Sequence, residues 1–409
     1  MGLRILRIGS SHVSYSRFID LLENPELDYI VFFLNFSDNY FENIHNSLKL
    51  FKKEHLMEKI RVHNSKLSYI LWLLGIVMLK IKLPEILIKL IFKIYPDLLG
   101  KFINKYQINA IWSGSNDYDG SNFLTWWVIE KGYNVKVIRI YKEHRCKYRM
   151  DEKNVISKCD KLILPSERNM NEFESLYNIN LKNKTMFADE DWRYSGLVNL
   201  IMNTKVDKLS SVDKEPHIVI LSGRVTYGVK DSRGNSRYNY IDLIKNLIQR
   251  HIHVHLHTKF IIENSDNKVC YINNPYFLIA KESEYFHIDN SLDLENDIAN
   301  SYSILKRYDA GIMHNYVEGE EINKFTKMNV PNRLFEYQMA SVLPVVFKGT
   351  MLDVEDIIKE TDFGIIVKDY DELKQILYEN IKNNVEINIR TSVKTYSDFV
   401  SILFKAING

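Results

Sequence analysis

Residues Asn329 to Phe347 read "NVPNRLFEYQMASVLPVVF" and carry one acid, Glu336, inside a helical apolar pattern. Pro331 suits the first turn of a helix, where its missing N–H would be unpaired anyway. Leu334, Phe335 and Met339 form the expected buried stripe, with Glu336 beside it. The two oxygens of Glu336 can accept hydrogen bonds from vicinal hydroxyls, as on a ribose. From spacing alone, a solvated glutamate is the simpler reading. Just upstream, "YDAGIMHN" reads as a strand ending at Met313. His314 and Asn315 then sit at its carboxyl end, where the sheets of α/β proteins bind ligands.

A second group is "ILSGRVTYGVKDSRGNSRYN", between a strand and a helix. Gly223 at the strand end permits backbone conformations closed to other residues, and Arg224 adds a cationic donor suited to phosphate. The loop matches neither a P-loop nor a GxGxxG pattern, so a Gly/Arg-rich surface loop is an equal reading. In "HVHLHTK", His253, His255 and His257 share one strand face. That face could hold a metal, but a plain polar face explains it more simply. Lys259, just past the expected strand end, is the better phosphate contact. No acidic pair sits in a recognisable metal motif, so neither a metal nor a cofactor is expected.

Three turns near the N-terminal strand ends offer acid–base groups. "IGSSHVSYSRF" supplies His12 and Arg17, "WSGSNDYDGSN" supplies Asp117 and Asp119, and "YKEHRCKYR" supplies Glu143. Any of His12, Asp117, Asp119 or Glu143 could take a proton from an acceptor hydroxyl. A loop-capping or surface role is as good a reading for each.

Strand runs such as "LRILRIG", "DYIVFFLN", "INAIWSG" and "HIVILSG" alternate with helical patterns throughout. Alternation of this kind implies βαβ units and parallel sheets. The polar stretch 203–216 is the expected linker. It separates an N-terminal Rossmann-like domain, 1–202, from a C-terminal one, 217–385, with parallel sheets facing an interdomain cleft. Residues 386–409 form a last helix expected to return to the first domain. The chain has 409 residues, 45% hydrophobic and 26% charged, enough for large cores. A net charge of +2 gives no reason to expect a nucleic-acid partner. Cys146, Cys159 and Cys270 lack metal-ligand spacing and read as reduced thiols of a cytoplasmic protein. Residues 67–95 are apolar and interspersed with lysines. They read as buried helices with snorkelling lysines, or as a surface resting on an anionic membrane at its inner face.

"VPNRLFEYQMASVLPVVF" resembles the donor-site motif of group 1 glycosyltransferases with the GT-B fold. That motif runs proline, any residue, lysine, leucine, phenylalanine, glutamate, tyrosine, then small residues and "PVV". "YDAGIMHN", "LSGRV" and "KCDKLILPSERNMNEFESLYNI" resemble further segments of the family, so the likeness covers most of the chain. The resemblance implies transfer of a sugar from a nucleotide donor to a glycan, lipid-linked or protein acceptor. It makes Glu336 the ribose ligand and Arg224 a diphosphate ligand. It also puts backbone N–H groups near Val330 to Arg333 against the donor phosphates, with Pro331, Asn332, Arg333 and Leu334 lining the site. Many relatives carry a second glutamate where this chain has Met328. A non-catalytic binding module and a nucleotide-sugar epimerase of the same shape are the alternative readings.

Overall fold

The computed structural model describes residues 2–8, 17–33, 39–63, 77, 83–94, 97–114, 121–142, 148–227, 238–263, 268–269, 274–294, 297–314, 324–383 and 393–409. Two compact units divide the chain: Met1–Ser195 with Lys394–Gly409, and Gly196–Val393.

In the first unit, seven strands form one parallel sheet in the order β3-β2-β1-β4-β5-β6-β7. They are β1 Leu3–Ile8, β2 Leu27–Phe33, β3 Ile60–His63, β4 Ala110–Ser113, β5 Lys136–Ile140, β6 Lys161–Leu164 and β7 Thr185–Phe187. Aliphatic and aromatic side chains fill these strands because parallel sheets are covered on both faces. Trp126 and Trp127 of helix Ser121–Lys131 each lie 5.3 Å from the Phe92 ring in the same core. Helix starts follow local chemistry: Ser166 caps Glu167–Tyr177 by accepting from the Asn169 N–H at 3.1 Å. A capping box of Thr395 and Asp398 starts Tyr396–Asn408. That last helix buries Tyr396, Phe399 and Leu403, with Phe399 5.9 Å from Trp112, so it belongs to the first unit.

Charges also lie inside this unit. Arg7 on β1 is fully buried, its guanidinium 3.9 Å from the centre of the Trp112 ring and 3.3 Å from Glu190. Arg17 comes from the turn that was expected to face the interdomain cleft. It is buried instead, donating to Asp191 at 3.1 Å and to the Glu190 carbonyl. Lys142 also pairs with Asp191. Burial alone would raise the Asp191 pKa, but Lys142, Arg17 and Arg193 hold it below the usual carboxylate range. Its neighbour Asp189 is pushed up to about 7 by burial and by the Asp191 charge.

The second unit repeats the design. Its strands are β8 His217–Tyr227, β9 His253–Glu263, β10 Lys268–Val269, β11 Phe286–Asp289, β12 Ala310–Ile312, β13 Leu343–Phe347 and β14 Ile365–Val367. The order is β10-β9-β8-β12-β13-β14, with β11 also on β9 and only β10 antiparallel. The stretch 203–217 is tied to this unit. Leu209 N–H donates to Arg307 O at 2.9 Å, and Asp309 accepts from Ser210 Oγ at 2.6 Å and from His217 N–H at 2.8 Å.

Gly311 has a steric reason. A Cβ there would lie 2.5 Å from the Tyr337 ring, so only glycine lets helix Arg333–Ala340 approach β12 this closely. Gly311→Ala is therefore expected to cost about 1–3 kcal/mol through overpacking. The check is the urea midpoint, with Tyr337→Leu in the same chain relieving much of the loss.

Helix Glu85–Ile94 divides its apolar residues. Ile88 and Phe92 are buried, while Ile86, Leu87 and Leu90 are exposed and Lys89 pairs with Glu85 at 2.6 Å. Apart from Val77 and 83–84, the rest of 67–95 lies outside the described residues. Among the described residues, no helix is long and apolar enough to cross a membrane.

Candidate functional site

In the second unit, chain order reverses between β8 and β12. The crevice outside the carboxyl ends at such a reversal is the general ligand site of doubly wound sheets. β8 pairs with β12 only through Ile218 and Val219, yet follows β9 as far as Tyr227. The two central strands therefore part company toward their carboxyl ends. Gly223 and Arg224 lie inside the extended β8, and Lys259 inside β9, which runs on to Glu263. Both strands were expected to stop sooner. They continue because Val225, Thr226 and Tyr227 pair with Ile261, Ile262 and Glu263. Gly223 has ordinary backbone and open space where a Cβ would stand, so it leaves room for a ligand rather than meeting a conformational demand.

Helix Arg333–Ala340 connects β12 to β13, which are parallel neighbours. It must run back against the strands, so its N-terminal turn lies at the carboxyl edge. Pro331 carries the first turn carbonyl, accepting from Leu334 N–H at 3.0 Å, and Asn332 accepts from Phe335 N–H at 3.0 Å. Such a helix start has a positive end suited to phosphate. Tyr337 pins the helix to the sheet: its hydroxyl accepts from Leu221 N–H at 3.1 Å and lies 3.3 Å from Ile312 O. The amphipathic pattern expected here is corrected. Every residue from Leu334 to Ala340 is buried, Glu336 included at 7% exposure, because neighbouring elements cover all sides of the helix. That exposure removes the solvated reading of Glu336.

Glu336 accepts a hydrogen bond from Tyr302 of helix Ile298–Leu305. A carboxylate has two oxygens and several acceptor sites, and the Tyr302 bond fixes the orientation of this one. Two guanidinium groups belong to the same edge. Arg333 donates to the Tyr240 hydroxyl at 3.2 Å. Burial alone would lower its pKa, but Tyr240 and Tyr337 more than offset that and hold the charge. Arg224 is exposed and stacks 4.6 Å from the centre of the Tyr238 ring, two residues from Tyr240. His314 is almost buried just past β12. Met328, in the second-glutamate position, is a buried apolar residue.

Gly223 and Arg224 on β8, Lys259 on β9, His314 past β12, and Pro331, Asn332, Arg333, Leu334 and Glu336 in and before helix Arg333–Ala340 lie toward the carboxyl edge of the second sheet. Asn315, His12, Asp117, Asp119 and Glu143 lie outside the described residues. Tyr302, Tyr240 and Tyr238 were missed, since isolated tyrosines carry no spacing signal; Tyr337 stands in the motif, but its hold on the sheet was not read. A separate cavity of about 510 Å³, lined by Lys205, Lys208, Lys306, Asp309 and Ser341 among others, lies beside the start of β12, at the opposite edge.

His257 on β9 titrates for a physical reason. It is buried, with Nε2 2.8 Å from the Tyr308 hydroxyl, and burial pushes its pKa down to about 4. Unfolded histidine titrates near 6.5, so between about 6.5 and 4 the unfolded chain binds the extra proton. Stability is therefore expected to fall with pH through that window, by up to about 1.4 kcal/mol per pH unit for this one group. Urea unfolding at pH 7 and 5 checks it: His257→Gln should show the shallower loss.

No family model matches the chain, and no curated protein matches it. Solved structures do. The lipopolysaccharide outer core galactosyltransferase WaaB superposes with a TM-score of 0.55 at 10% identity, over 100% of this chain and 95% of that one. The Anabaena protein HepE, solved with UDP, gives 0.52 at 11% identity over 100% and 96%. A Rickettsia africae glycosyltransferase gives 0.52 at 14% identity over 100% and 99%. The Neisseria meningitidis UDP-GlcNAc 2-epimerase also gives 0.52, at 9% identity over 99% and 100%. The chain has the GT-B fold. Two Rossmann-like units of parallel sheet are what this architecture requires, and nucleotide-sugar glycosyltransferases are among the proteins that share it.

Proposed function

We propose that this protein is a glycosyltransferase. It moves a sugar from a nucleoside-diphosphate sugar to an acceptor in assembly of a bacterial surface glycan or glycoprotein. The observation that carries this reading is the Tyr302–Glu336 pair beside a helix N-terminus at the switch point of a GT-B second unit. Glu336 takes the ribose hydroxyls. Arg224, Arg333 and the helix start at Pro331–Arg333 face the diphosphate, with Gly223, Lys259, His314, Asn315 and Leu334 completing the nucleotide-sugar contacts. As the glycosidic bond to the donor breaks, charge grows on the leaving diphosphate. Fixed cations and backbone N–H groups stabilise it there without a metal or cofactor. In an inverting reaction the acceptor hydroxyl loses its proton to one of His12, Asp117, Asp119 or Glu143, whereas in a retaining one the donor phosphate and positioned charges serve without a protein base.

HepE was solved with UDP, which makes UDP-sugars the first donors to test. Exposed Ile86, Leu87 and Leu90 favour a lipid-linked acceptor and contact with the inner face of a membrane. A nucleotide-sugar epimerase is the second reading, favoured by the epimerase that shares the fold. The test is release of nucleoside diphosphate from UDP-, GDP- and TDP-sugars, with and without glycolipid acceptor. Acceptor-dependent release supports transfer. Conversion of the free sugar nucleotide alone would establish the epimerase, and no turnover of any donor would leave only a binding module.

A further inference from the structure

Histidines from three strands gather at the amino-terminal edge of the second sheet, the edge opposite the donor site. His217 and His253 open β8 and β9 and are paired in register. His287 on β11 is in register with His255. The rings stack in two pairs, His217 on His253 with centroids 4.5 Å apart and 5° between planes, and His255 on His287 at 4.5 Å and 19°. The outward nitrogens meet carboxylates: His217 Nε2 lies 2.8 Å from Asp213, and His253 Nε2 lies 3.0 Å from Glu215. The inward nitrogens meet histidines: His217 Nδ1 lies 2.9 Å from His255 Nε2, and His253 Nδ1 lies 3.2 Å from His287 Nε2.

We propose that Asp213, His217 and His253, with Glu215 as fourth ligand, form a binding site for one divalent transition-metal ion of the zinc class. Ligand atoms of Asp213, His217 and His253 all lie within 4.8 Å of one another. Zinc takes imidazole nitrogen and carboxylate oxygen at about 2.0–2.2 Å in a tetrahedron, so one of the stacked rings must turn for both nitrogens to reach one ion, and Glu215 must swing in as the fourth ligand. The carboxylates can move, since the Asp213 and Glu215 side chains are 40% and 33% exposed. The inward contacts do what a metal site needs from its surroundings. With Nδ1–H donated to His255 and His287, the Nε2 lone pairs of His217 and His253 are left on the side of Asp213 and Glu215, available to a metal. Two carboxylates opposite a dication also leave the site neutral. Bound there, the ion would tie the segment that leads into β8, which carries Asp213 and Glu215, to the start of β9. This site lies apart from Glu336 and does not depend on the proposed reaction.

The test uses untagged full-length protein stripped with a chelator. Zn²⁺ is titrated against a chromophoric competitor, and Co²⁺ by its visible absorption. The expected result is one Zn²⁺ per chain with Kd below about 1 µM, and the intense Co²⁺ bands of a four-coordinate site. Asp213→Asn and His253→Gln should each weaken Zn²⁺ binding by about 100-fold or more, whereas His251→Gln, on the adjoining turn, should not. Asp213 is exposed, so its variant keeps the test open even if His253→Gln folds poorly. Absence of stoichiometric Zn²⁺ binding would overturn the site. So would equal affinity in the Asp213→Asn variant, or a weak six-coordinate Co²⁺ spectrum.

Discussion

Asp191→Ala is expected to destabilise the first unit by about 3–5 kcal/mol, because it removes the carboxylate paired with the buried Arg17. Asp191 is 1% exposed and faces Arg17 at 3.1 Å, with Lys142 on its other side. Arg17 is fully buried and has no route to water when the carboxylate goes. For a unit of this size the loss corresponds to a fall of roughly 10 °C in its unfolding midpoint. A loss below about 1 kcal/mol would show that the pair is solvated in solution. A double-mutant cycle with Arg17→Met sharpens the result. The coupling should be large, since removing both partners also removes the stranded charge.

The second large effect belongs to the donor site. Glu336→Ala should weaken nucleotide-sugar binding by about 10- to 100-fold, the loss of charge-assisted hydrogen bonds worth about 1.5–3 kcal/mol. The variant also removes the buried Tyr302–Glu336 hydrogen bond, so some stability goes with it. Adding Tyr302→Phe should recover that stability while leaving donor affinity low. Glu336→Gln keeps the shape and one acceptor, and should fall between wild type and alanine. Calorimetric titration of the donor nucleotide separates the two losses. Unchanged donor affinity in Glu336→Ala would remove Glu336 from the site.

Much of the fold was legible because parallel strands and their covering helices impose different apolar periods. "VISKCDKLILPS" reads as a helix end then a strand, and the chain forms the end of Met150–Lys158 and then β6 there. The helix around Glu336 was legible in position but not in burial. Its cover includes Tyr302, 34 residues away, and no local pattern records such a partner. Gly311 and Tyr337 interlock across 26 residues in the same way. The strand ends at Gly223 and Lys259 were misjudged because cross-strand pairing, not local sequence, carried β8 and β9 onward. The acidic run Asp189–Asp191 went unread, since its partners Arg7 and Arg17 lie 183 and 174 residues earlier in the chain. The period of two in "HVHLHT" was visible, but His217 and His287 join it only through the sheet.

The most direct test of the donor site is thermal unfolding of wild type and Glu336→Ala with UDP, GDP, ADP, TDP, CDP and CMP. A ligand of the folded state at a hundredfold excess over its Kd adds about 2.7 kcal/mol. The expected result is a raised midpoint with one nucleoside diphosphate, UDP first among them, and little or no rise in Glu336→Ala. An equal rise in the variant, or no rise with any nucleotide, would contradict a donor site built on Glu336.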